Sequence, residues 1–98
     1  MQQPRISTST FHHNGWYKRG SDYYFFSPSR GENTHIHIGG NTRSDTCEVS
    51  FISLKVDDRF AGKIWDKDSM YSNWGALDAI DLTVASEFRK GLSSIGIY

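Results

Sequence analysis

The sequence predicts an α+β domain: an antiparallel meander of four to five strands with one C-terminal helix packed across one face. Three observations lead there. Residues 11–56 alternate aromatic or β-branched runs with turn clusters at Asn14-Gly15, Gly20-Ser21, Ser27-Pro28-Ser29-Arg30-Gly31 and Gly39-Gly40-Asn41. Residues 75–94 instead put Leu77, Ile80, Val84 and Phe88 at helical spacing, with Asp78, Asp81, Glu87, Arg89 and Lys90 largely off that stripe. The chain has 98 residues, the length of one small domain with one hydrophobic core.

Each element follows from its local composition. Residues 1–10, "MQQPRISTST", are polar and short of core formers, which predicts a flexible end or an edge strand, with the ordered domain spanning 11–98. Strands are expected at 15–18, 22–27, 34–38 and 47–56, with a short strand at 9–13 leading into an Asn14-Gly15 hairpin turn. In the last of these the buried parity changes: Cys47, Val49 and Phe51 share one side, whereas Ile52, Leu54 and Val56 share the other. A bulge near Phe51, or burial on both faces, reconciles them. Residues 59–75 lack a clean period and read as irregular, with one short turn of helix or strand near 60–65. Arg89, Lys90 and Gly91 are the stop signals expected of the helix, and the tail "SIGIY" is apolar enough to dock as a final short strand.

Composition narrows the function classes. Eleven basic and eleven acidic residues cancel, so a broad electrostatic grip on nucleic acid or an anionic membrane is not expected. Cys47 is the sole cysteine, which excludes an intrachain disulfide and points to a reducing, cytoplasmic setting. No apolar run suggests a signal peptide or a membrane span. No motif implies a cofactor.

The stretch "ENTHIHIGG" carries the first candidate chemistry. On a strand His35 and His37 point to one side and Ile36 and Ile38 to the other, so a half-solvated strand explains the isoleucines and leaves the histidines on its outer face. Two imidazoles at this spacing, about 6.5–7 Å apart at Cα, also fit a metal-independent ribonuclease. One would act as base and one as acid, with Lys18, Arg19, Arg30 or Arg43 steadying the phosphate. Neighbours on one strand approach a scissile bond from one side only; His12 or His13 would have to supply the opposing group. A metal clamp needs a third ligand, and no carboxylate lies within that strand, so no metal site is assigned.

The second candidate is "FHHNGWYKRGSDYYFF". In "DYYFF", Tyr23 and Phe25 face opposite to Tyr24 and Phe26, so one helix cannot cover both pairs. An aromatic outer face beside Lys18, Arg19, His35 and His37 has the composition of a protein interface anchored by Trp16, Tyr17 and Tyr24, or of a single-strand stacking platform. With a neutral chain, the protein partner is favoured over nucleic acid. "NGWYKRGSDYYFFSP" followed by an alternating strand resembles the strand-rich part of the HicA toxin ribonucleases. The chain departs from that pattern by having "MQQPRISTST" where the family places a helix and its histidines in a later strand, so no family is assigned. The expectation is a non-enzymatic inhibitor, immunity or accessory protein, with the histidine ribonuclease as the alternative.

Overall fold

The computed structural model describes residues 3–69 and 71–98 and has the predicted α+β architecture, with more strands than expected. Six antiparallel strands form one sheet: β1 (Arg5–Ser7), β2 (Tyr17–Arg19), β3 (Asp22–Ser27), β4 (Gly31–Arg43), β5 (Thr46–Val56) and β6 (Arg59–Asp66). The order is β1-β5-β4-β3-β2, and β6 pairs with β5. β1 meets the start of β5 (Ile6 opposite Cys47) and β6 meets its end (Ile52 opposite Trp65), so the two short strands share one edge of a long one.

The N-terminal strand predicted at 9–13 is instead a helix, α1 (Thr8–His13). The Ser7 hydroxyl accepts a hydrogen bond from the Thr10 amide at 3.2 Å and caps the helix, the use to which a Ser/Thr run is suited. Asn14 then closes it by donating from Nδ2 to the Thr10 carbonyl. Asn14-Gly15 is therefore a helix exit, and the first hairpin turn is Gly20-Ser21, between the paired residues Arg19 and Asp22. Phe11 is the buried residue of α1, and its ring stacks on Tyr23 with centroids 3.9 Å apart.

Gly39-Gly40-Asn41 does not turn the chain, because β4 runs through it to a two-residue turn at Ser44-Asp45. The glycines mark a bulge. Gly39 pairs with Phe51 and Gly40 with Val49, leaving Ser50 as the extra residue, which confirms the parity change foreseen near Phe51. Cys47 and Val49 point into the core before the bulge, Ile52 and Leu54 after it. A side chain at Gly39 would overlap the Phe51 ring, and one at Gly40 would meet the backbone of Glu48, which is why this crossing takes two glycines. At the next turn Asp57 and Asp58 both have positive φ, 51° and 65°, the geometry of a two-residue hairpin matched to the sheet twist.

The helical stripe is shared by two elements. A 3-10 turn, η1 (Trp74–Ala79), carries Leu77, and α2 (Leu82–Ser94) carries Val84 and Phe88, with Ile80 partly buried between them. Asp81 interrupts what reads as one helix, because its carboxylate accepts from the Thr83 and Val84 amides and starts α2 there. The helix passes through Gly91, which allows contact with the Phe25 ring rather than a stop; an added Cβ would lie 2.9 Å from that ring. Glu87 pins the helix to the end of β3, accepting from Ser27 Oγ (2.5 Å), Ser29 Oγ (3.0 Å) and the Ser29 amide (3.0 Å). The tail is no strand, although Ile95 and Ile97 pack on the core. Leu77, Val84 and Phe88 join Ile36, Ile38, Ile52 and Leu54 in one core cluster, so α1, η1 and α2 all contribute to the inner face of the sheet.

Candidate functional site

Strand alternation leaves the opposite face to Tyr24 and Phe26 of β3, His35 and His37 of β4, and Phe51, Ser53 and Lys55 of β5. The register places them in rows. Tyr17, Tyr24, His37, Ser53 and Lys63 lie across five strands in one row, and Phe26, His35, Lys55 and Phe60 lie in the next.

Within the first row the Tyr24 ring meets two neighbours. His37 stacks on it with centroids 4.5 Å apart and planes 11° from parallel, while Arg19, on the flanking strand β2, lies over the same ring at 5.7 Å. Phe51 meets His37 edge-on at 5.1 Å, and Lys63 lies over Phe51 at 5.7 Å. In the second row His35 touches both Tyr24 and Phe26 edge-on.

Hydrogen bonds fix both imidazoles. His37 donates from Nε2 to the Asp22 carboxylate at 2.9 Å, and His35 donates from Nδ1 to the Glu32 carbonyl at 2.8 Å, since neither acceptor carries a proton to give. When neutral, His35 thus keeps its lone pair on Nε2 and His37 on Nδ1. His35, His37, Ser53, Leu54, Lys55 and Phe60 line a cavity of about 270 Å³. Phe60 is 70% exposed at its rim. At the other edge of the face, Asp66 accepts from Lys63 at 2.8 Å and from the Asp68 amide, and these bonds, the lysine's first, hold its carboxyl below the usual range.

Of the residues predicted to bind, Tyr17, Arg19, Tyr24, His35 and His37 share this face. Trp16 does not. It is 3% exposed and packs on the inner side against Phe11 and Phe25, so it cannot anchor a partner. Lys18 pairs with Tyr23 and has the inner parity, at the exposed end of the sheet. His12 and His13 sit on α1, which packs on the inner side through Phe11, and the His12 ring lies edge-on to Tyr23. The opposing group that a ribonuclease would take from them is thus on the wrong side of the sheet. No cluster of three His, Cys, Asp or Glu able to hold a metal occurs among the described residues, and Cys47 points into the core.

Sequence reasoning missed Asp22, Phe51, Lys55, Phe60 and Lys63. Asp22 was accessible, because it shares parity with Tyr24 and Phe26. Phe51 and Lys55 depend on the β4–β5 register, shifted at Gly39-Gly40, and Phe60 and Lys63 on that of β5 and β6, shifted after Ile52 and again after Leu54. No known family model, curated protein or solved structure matches the chain. Among the described residues, no helix is long and apolar enough to cross a membrane.

Proposed function

We propose that this chain is a non-enzymatic interaction domain, an inhibitor, immunity or accessory protein, that docks a protein partner through the outer face of its sheet. The observation that carries the reading is the aromatic and histidine ladder centred on Tyr24, which the core does not need and which continues into the exposed Tyr17 and Phe60. Its geometry favours protein over a nucleobase. A base stacks on an open ring face, whereas the Tyr24 ring already stacks on His37 and has Arg19 over it, so the ladder offers ring edges and polar tips. Amphipathic rings of this kind are the usual anchors of protein interfaces. The lone, buried Cys47 suits a reducing, cytoplasmic setting for that encounter.

A ribonuclease is the second reading, supported by the Asp22–His37 pair beside His35 and Lys55 in one cavity. One experiment separates the two. Protein captured from a host extract on the parent chain should be lost on Tyr24→Ala, and calorimetry with the purified partner should show a loss of about 2 kcal/mol or more. RNA should survive in excess chelator. Turnover of RNA that disappears with either His35→Ala or His37→Ala would overturn the interaction reading, as would capture that ignores Tyr24.

A further inference from the structure

The charges around the ladder say what kind of surface fits it. Asp22 accepts from His37 and Asp66 from Lys63, and neither lines the cavity beside the histidines. Arg19 and Lys55 have no carboxylate partner among the described residues. The cavity lined by His35, His37, Ser53, Leu54, Lys55 and Phe60 therefore holds a lysine without a carboxylate partner and two imidazoles, and, among the described residues, no carboxylate in its lining. Complementary potential of this sort selects partners and speeds encounter.

Resting on the docking reading, we propose that the partner is an acidic protein segment that inserts a carboxylate into the cavity bounded by His35, His37, Ser53, Lys55 and Phe60. The cavity, about 270 Å³, has room for a carboxylate side chain, with the Phe60 ring at its mouth to cover the aliphatic stem. Lys55 supplies the fixed cation. His35 supplies a conditional one: its Nδ1–H is committed to the Glu32 carbonyl, so Nε2 repels a carboxylate as a lone pair and donates to it only when protonated. The groups facing His35 are Tyr24 and Phe26 from β3, Lys55 from β5, Phe60 from β6, and Glu32 and His37 on its own strand. An incoming carboxylate favours the form of the ring that can donate to it. Docking is thus coupled to proton uptake.

The test uses the whole chain labelled with 15N and poly-L-glutamate as the probe. Resonances of His35, His37, Lys55 and Phe60 should shift on titration, and affinity should rise as the pH falls between about 8 and about 5, where imidazoles gain a proton. Lys55→Glu should weaken the probe by about tenfold or more, while Lys90→Glu, on the exposed side of α2, should leave it unchanged. His35→Gln, which keeps a polar side chain but cannot gain a proton, should reduce the pH dependence, and His37→Gln should reduce it less, because His37 is already held by Asp22. Three results overturn the proposal: no shifts at these residues, shifts indifferent to pH and to Lys55→Glu, or tighter binding of oligo-dT than of poly-L-glutamate at the same residues. The captured partner divides this proposal from the reading beneath it. A partner lost with Tyr24→Ala but held equally by Lys55→Glu sinks the acidic segment alone; one indifferent to Tyr24→Ala sinks the docking face itself.

Discussion

The two faces of β3 and β4 come from the same residues by simple alternation, yet they are held together by different physics. On the inner face Tyr23, Ile36 and Ile38 are fully buried beneath α1 and α2, so their free energy comes from removing apolar surface from water. On the outer face Tyr24, Phe26, His35 and His37 are half-buried and touch mainly one another. Such cross-strand pairs contribute about 0.2–1 kcal/mol each. An inner residue is therefore accounted for by folding. An outer one is not, since polar residues would serve the fold equally well there, and that surplus is what the docking proposal rests on.

The comparison breaks most visibly at Phe88, which is fully buried beneath the sheet and meets Phe25 edge-on. Phe88→Ala should cost about 3–5 kcal/mol in urea unfolding. A loss below about 1 kcal/mol, the size of an outer-face pair, would show that the inner face is not the main source of stability.

Gly91 sharpens it from the helix side. Alanine in a helix interior is favoured over glycine by about 1 kcal/mol, so Gly91→Ala would stabilise an exposed helix. Here the new methyl would lie 2.9 Å from the Phe25 ring, which is confined between Trp16 and Phe88. Overpacking of that kind costs about 1–3 kcal/mol, and the net change in melting temperature should be downward. An upward shift would mean that Phe25 moves freely and that the helix is loosely seated.

Tyr24→Ala is the outer-face counterpart. Removing it forfeits its contacts with His37 and Arg19, and the unfolding free energy should fall by no more than about 1 kcal/mol, while partner affinity falls further. A large loss of stability would make the ladder structural and remove the reason to assign it to docking.

What the sequence disclosed about these faces was parity, and what it concealed was register. Ile36 and Ile38 against His35 and His37, and Tyr23 and Phe25 against Tyr24 and Phe26, follow from alternation alone, and the bulge beside Phe51 follows from the exchange of buried parity. Gly39-Gly40 was ambiguous because glycine serves both for turning and for close approach of a neighbouring ring; only the pairing of β4 with β5 decides. Thr8–His13 went to a helix because a serine cap satisfied its first turn, an effect stronger here than the strand-like look of the hydroxyl run. Composition casts Trp16 as a surface anchor, but Phe11 and Phe25 pack against it in the core. Lys55 comes opposite His35 through the β4–β5 pairing with its one bulge, and Phe60 joins them only through a β5–β6 register shifted twice, which no short window of sequence contains.

The smallest effect probes titration on the inner face. Burial pushes the Cys47 thiol above its ordinary value of 9.0, and burial, then the Cys47 charge, pushes the Tyr23 hydroxyl above 10.0. For a group whose folded value is raised, the unfolded chain releases its proton first as the pH climbs. The unfolded state then binds fewer protons, so stability is complete below the ordinary value and is lost as the pH rises toward the folded one. Denaturant midpoints should hold steady up to pH 9.0 and decline above it. Cys47→Ala should flatten the first part of that decline, and Tyr23→Phe the part above 10.0. If the parent and Cys47→Ala lose stability with the same slope just above pH 9.0, the thiol is not sealed within the core. The strict division between a dry inner face and a wet outer one would then fail at β5, the strand on which both faces depend.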